Sequence, residues 1–134
     1  MAESPKKRVF AFDSWAGGHY FDLWSFIHFL SGIWLGEAFF LIDSPLVWAL
    51  CVGIFLLVGW EIFEYLIDIL DPLSNLLLDL ALGVAGLPLV YKFLPLFPQG
   101  IVWYVFYATA FCTLASAAWG WSRYPFPWKT KVPK

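Results

Sequence analysis

The segment Val58 to Asp71, VGWEIFEYLIDILD, sets Glu61, Glu64, Asp68 and Asp71 within eleven positions, directly after a long apolar run. Asp22, His28, Asn75 and Asp79 stand in similarly apolar surroundings elsewhere in the chain. One imidazole, several carboxylates and an amide could hold a cation, bind a polar headgroup, relay protons or simply hydrogen-bond to one another. No cofactor is fixed by this set, and a divalent cation is the one it could accommodate. His28, Glu61, Glu64 and Asp79 are its candidate ligands, since oxygen-rich sites suit Mg, Ca or Mn. A di-iron bundle needs two Glu-x-x-His pairs and two further Glu, whereas Glu61-x-x-Glu64 has only His28 to join it. The chain contains no Gly-rich phosphate loop, HExxH, CxxC or GxSxG, so no catalytic residue can be nominated from a motif.

Groups scattered this widely can cooperate only if the elements carrying them converge. Only 13% of the 134 residues are charged and 61% are hydrophobic, against a charged share of roughly 25% in soluble domains. That difference predicts an all-α integral membrane protein, a four-helix bundle. Each crossing needs about 20 mostly apolar residues, and four such runs are present: residues 21–42, 46–70, 74–94 and 101–121. The turn DSP (Asp43–Pro45) separates the first two, Asp71–Pro72 stops the second, and PLFPQG (Pro95–Gly100) separates the last two. Ser74 is the expected N-cap of the third span, and Pro88 is a candidate kink within it. Residues 1–20 form an N-terminal interfacial segment, without the unbroken apolar centre of a cleavable signal, so the first span is expected to act as an uncleaved anchor. Residues 123–134 form a basic tail.

Seven of the eight basic residues lie near the two ends: Lys6, Lys7, Arg8, Arg123, Lys129, Lys131 and Lys134. An even number of spans puts both ends on one side, and the Lys/Arg excess makes that side cytoplasmic, N-in and C-in. Lys92, near the outer end of the third span, can snorkel. In this topology Asp22 is interfacial and His28 lies about 9 Å deeper on the first span. Glu61 and Glu64 fall in the inner half of the second span, and Asn75 and Asp79 in the first turns of the third. Three helices thus bring polar groups to a similar depth.

The faces agree as well. Glu61, Glu64, Asp68 and Asp71 fall within an arc of roughly 80° at 100° per residue. Asn75, Asp79, Gly83 and Gly86 share one stripe of the third helix, and Asp22, Ser25, His28, Gly32 and Gly36 share one of the first. Thr109, Thr113, Ser116 and Gly120 do so on the fourth. Small residues let membrane helices approach, and polar ones bond across them. A charge at the middle of a span costs about 2.5–3.5 kcal/mol, so the stripes are expected to point inward together. Asp68 and Asp71 are expected among headgroups and water, as is His19. Glu37, near the outer end of its span, is expected on a solvated rim. Cys51 and Cys112, both inside apolar runs, are expected as buried small hydrophobes.

The pattern Asp22-x5-His28-x3-Gly32-x4-Glu37, followed by WEIFE and by NLLLDLALGVAG, resembles the small bacterial membrane proteins of the VanZ-like group and the related YjdF-like family. It spans Asp22 to Gly86, about half the chain, and departs from the VanZ-like pattern at Glu64, where a Gln is common, and in lacking an Arg before Asp79. The resemblance implies a bacterial inner-membrane bundle with a His/carboxylate cluster, and no specific reaction. Two functions stay open on the sequence. One is an accessory or interaction subunit of a larger membrane assembly, or a binder of a small ligand or cation. The other is a small membrane enzyme or transporter using the cluster for metal or proton chemistry. The partners implied are the lipid bilayer and a membrane complex contacted through the termini and aromatic faces. Nucleic acid has no support beyond the charge of the tail.

Overall fold

The computed structural model describes residues 21–67 and 72–123. Four helices make up almost all of it: α1 (Leu23–Leu41), α2 (Leu46–Leu66), α3 (Leu73–Phe93) and α4 (Gln99–Arg123), with a 3₁₀ turn at Leu94–Leu96. No strand occurs among the described residues. Each of the four helices is long and apolar enough to cross a membrane. The expectations for His19, Asp68, Asp71, residues 1–20 and the tail beyond Arg123 fall outside the described residues.

Local chemistry sets the helix ends. Asp22 caps α1: its Oδ1 accepts from the N–H groups of Trp24 at 2.9 Å and Ser25 at 3.1 Å, while Ser25 Oγ accepts from the Asp22 N–H at 3.3 Å. This reciprocal pair satisfies donors that the first turn leaves open. At the other end Asp43 adopts φ +54°. The Ser44 N–H donates to the Phe39 carbonyl and the Asp43 N–H to the Phe40 carbonyl, so the DSP turn closes α1 with a Schellman motif. Aspartate is one of the few non-glycine residues that tolerate this region. The Tyr91 hydroxyl donates to the Ser44 carbonyl at 2.8 Å, and its ring meets Phe40 edge-on, which ties the turn to the end of α3. Ser74 does not cap α3. Pro72 holds that position with extended backbone, and its carbonyl accepts from the Asn75 and Leu76 N–H groups. A proline fits there because the position needs no donor.

The four helices do not form an even square. α1 packs most extensively on α3, its parallel neighbour; α4 lies along another side of α1, and α2 rests mainly on α3 and less on α1. Glycines allow the central pair to touch. A Cβ placed on Gly32 would run into the Gly83 carbonyl, and one on Gly86 would meet the Ile33 nitrogen at 2.7 Å and the Phe29 carbonyl at 2.8 Å. Gly53 of α2 receives the Leu87 side chain, and Leu87 is wholly buried.

The interior is unusually polar. Nine polar or charged side chains are buried among the described residues, against eight apolar ones. The surface is the reverse, carrying Trp48, Phe55, Tyr104 and Phe111 largely exposed. Exposed apolar area of this extent marks a surface built to be covered, here by acyl chains. Cys51 and Cys112 belong to that outer surface, contrary to the expectation that they are buried. Hydropathy cannot distinguish a side chain covered by protein from one that faces lipid, because both favour the same residue types.

Candidate metal centre

His28 lies five residues into α1, Glu61 five residues before the end of α2, and Asp79 six residues into α3. At 1.5 Å per residue all three sit about 8–9 Å inside the same end of the bundle. His28 Nε2 is 3.5 Å from Glu61 Oε1 and 3.9 Å from Asp79 Oδ2, and all three side chains are buried. One donor atom from each residue lies within 4.8 Å of the other two. The Asn75 amide, one turn before Asp79, donates from Nδ2 to Asp79 Oδ2 at 2.8 Å. Asn75 is 0% exposed, and its Oδ1 accepts no hydrogen bond among the described residues.

The remaining sequence candidates take other positions. Glu64 is buried one turn from Glu61, but its carboxylate does not join the three-atom group. Asp22 is buried at the bundle end and engaged in capping α1. The structure thus gathers His28, Glu61 and Asp79, attaches Asn75 to Asp79, and leaves Glu64 and Asp22 outside the group.

Distances limit what the group can do. An N–H···O hydrogen bond spans about 2.7–3.2 Å, so 3.5 and 3.9 Å are long for direct bonding of His28 to either acid. Ligands at about 2.0–2.2 Å from an ion stand roughly 3.3 Å apart in tetrahedral geometry. The observed spacings lie closer to the second arrangement. Two carboxylates facing one imidazole form a mixed oxygen and nitrogen donor set that a divalent cation can bridge. The chemistry available is cation binding or proton exchange among three groups.

One turn deeper, Gly32, Gly83 and Leu57 occupy the positions below His28, Asp79 and Glu61, with the Leu57 methyls about to touch a Cβ placed on Gly83 (2.9 and 3.0 Å). None of these three positions carries a polar side chain. On the opposite side Asp22, Ser25, Asn75 and Glu64 lead toward the bundle end. Trp60, next to Glu61, stacks on Trp121 of α4 with ring centroids 5.8 Å apart.

Asp22 gives this end of the bundle a pH response. Burial pushes its carboxyl up from the ordinary value of 3.8, against the opposing pull of the Ser25 and Trp24 N–H groups. The folded-state value lies above the unfolded one. The associated stability is therefore fully present below the unfolded value and is lost as pH rises through the folded one. Asn caps a helix about as well as Asp and does not ionise. Asp22→Asn should therefore gain stability relative to the natural chain as pH rises from acid to neutral, in unfolding experiments run side by side. Parallel stability curves for the two proteins would exclude Asp22 as the source.

Sequence reasoning misplaced one acid. Glu37 does not lie on a solvated rim. It is 1% exposed, its Oε1 accepts from the Thr109 hydroxyl at 3.2 Å, and its Oε2 is enclosed without a hydrogen bond. Nine residues beyond His28, it points to the opposite side of α1 at 100° per residue, which is the side α4 covers. The available signal was Thr109 on the small-and-polar stripe of α4, which needs a polar counterpart. Comparison of the chain with family models, curated proteins and solved structures gave no match in any of the three.

Proposed function

We infer that the chain is a multi-pass membrane protein that binds one divalent cation through His28, Glu61 and Asp79. Asn75 orients Asp79 and offers its amide oxygen as a further donor. One observation carries this: two buried carboxylate oxygens from α2 and α3 stand at 3.5 and 3.9 Å from the buried imidazole of α1, beyond hydrogen bonding and near ligand–ligand spacing. The imidazole suits Zn and the carboxylate oxygens suit Mn, so these are the two metals to test against the mixed nitrogen and oxygen set. Glu64 stands one turn away as a reserve of negative charge on the approach from the bundle end.

The Lys/Arg excess near both termini supports a cytoplasmic location for that end, with N-in and C-in topology in a bacterial inner membrane. This is also what the VanZ-like pattern from Asp22 to Gly86 implies. Within this reading the protein is an accessory, cation-holding subunit. The apolar contact of Leu57 with Gly83 one turn below the centre speaks for holding an ion rather than passing it across.

The test uses the full chain in mild detergent, stripped with chelator and titrated calorimetrically with Mn²⁺ and Zn²⁺, with bound metal then counted by elemental analysis. One ion per chain, with affinity weakening as pH falls and the ligands take protons, is the expected result. No saturable binding of either metal would remove the proposal.

A further inference from the structure

Glu37 lies on the side of α1 away from His28 and about 13.5 Å further along that helix. Its surroundings form a second polar centre that the divalent site does not use. Oε1 has one partner, the Thr109 hydroxyl at 3.2 Å, while Oε2 is enclosed with no hydrogen bond. Trp34, one turn earlier and therefore on the same face, encloses an Nε1–H that also makes none. Two other polar groups of this half have partners of their own. The Thr113 hydroxyl donates to the Thr109 carbonyl, and the Tyr91 hydroxyl to the Ser44 carbonyl.

Among the described residues, the ionisable groups on the packed elements do not supply a counter-charge. From α3, Lys92 is exposed, with its ammonium above the Phe93 ring, and Tyr91 is engaged with the turn. From α4, Tyr104, Tyr107 and Cys112 lie on the outer surface, as does Cys51 of α2. His28 is a separate centre on the other side of α1. An enclosed acidic oxygen needs a positive partner, and an enclosed N–H needs an acceptor.

We propose that Glu37 is a second cation centre, which takes one monovalent positive charge at Oε2, a proton or a sodium ion. Thr109 Oγ holds the other carboxylate oxygen, and Trp34 Nε1–H donates to the water that accompanies the charge. A single carboxylate matches a single positive charge, and neither the Thr109 hydroxyl nor the Trp34 N–H beside it adds the second negative charge that a divalent ion would call for. The bundle then carries two centres of different valence on opposite sides of one helix.

Infrared spectroscopy of the full chain in liposomes, titrated with pH and NaCl and compared with Glu37→Gln, tests this directly. The expected result is a protonated-acid carbonyl band that converts to carboxylate bands as pH rises and is missing from the variant. If added NaCl moves the conversion to lower pH, sodium competes for the site; if NaCl has no effect, the proton is the occupant. Absence of any Glu37-dependent conversion across pH and salt overturns the proposal. Thr109→Val keeps the acid and removes its hydroxyl partner, and should displace the conversion. An undisplaced conversion would remove Thr109 Oγ from the site and reject the proposed arrangement equally. Divalent-ion titration of Glu37→Gln should match the natural chain, since His28, Glu61 and Asp79 are untouched.

Discussion

His28→Leu is expected to lower divalent-cation affinity by more than about 100-fold while leaving the four helices assembled. Loss of a supporting outer-shell residue typically costs 10–100-fold, and His28 is a direct ligand in the proposed site. It is also the nitrogen donor of the three and faces both acids, at 3.5 Å from Glu61 and 3.9 Å from Asp79. Leucine has a similar volume, so the α1–α3 contact below it through Gly32 and Gly83 should persist. Glu61 and Asp79 would keep donor atoms within 4.8 Å of each other, but an apolar side chain would stand where the nitrogen ligand was. Asn75→Leu makes a graded comparison. It leaves all three ligands but removes the amide that holds Asp79 Oδ2 at 2.8 Å, so a loss of about 10–100-fold is expected. Manganese titration followed by electron paramagnetic resonance, with helical content checked on the same samples, separates loss of binding from loss of fold. If His28→Leu binds manganese as tightly as the natural chain, the metal lies elsewhere and the three-residue centre is a packing feature.

What could be read before the coordinates, and what could not, follows from the nature of helical periodicity. Hydropathy and turn residues located four spans, and the angular positions of His28, Glu61 and Asp79 put each on a small-or-polar stripe. A helix of known direction and face has few ways to hide such a stripe, so the convergence of the three was open to inference. Periodicity does not say how many neighbours a helix has. α1 is flanked by α2, α3 and α4, so a second side of it is buried as well, and Glu37 sits there rather than on a rim. The same ambiguity displaced Cys51 and Cys112, since an apolar run reads alike whether lipid or protein covers it. The cap at Pro72 was hidden for another reason: Ser74 is the better capping side chain, yet the rigid φ of proline suits the start of α3.

Gly32→Val is expected to be the most damaging single substitution in the bundle, costing upward of about 3 kcal/mol. Overpacking a core usually costs about 1–3 kcal/mol, because side chains can shift to absorb the added atoms. Here no side chain is available to shift. The atoms that a Cβ on Gly32 would meet are the carbonyl oxygen, carbonyl carbon and Cα of Gly83, all backbone of a helix whose hydrogen bonds hold it rigid. Relief requires α1 and α3 to separate. His28 and Asp79 sit one turn above this contact, so separation also widens the His28–Asp79 spacing, and metal affinity should fall together with stability. Gly32→Ala should show the same effects at smaller amplitude. Gly59 provides the control. It lies on α2 with nothing within 4 Å of its added Cβ, and replacing a mid-helix glycine by alanine in open space should stabilise by about 0.5–1 kcal/mol. Stepwise detergent unfolding, followed by circular dichroism and tryptophan fluorescence, ranks the variants. The close approach of α1 and α3 is what brings the imidazole within reach of the Asp79 carboxylate. If Gly32→Val unfolds at the same denaturant fraction as the natural chain, that approach is wrong, and the spacing of the metal centre is wrong with it.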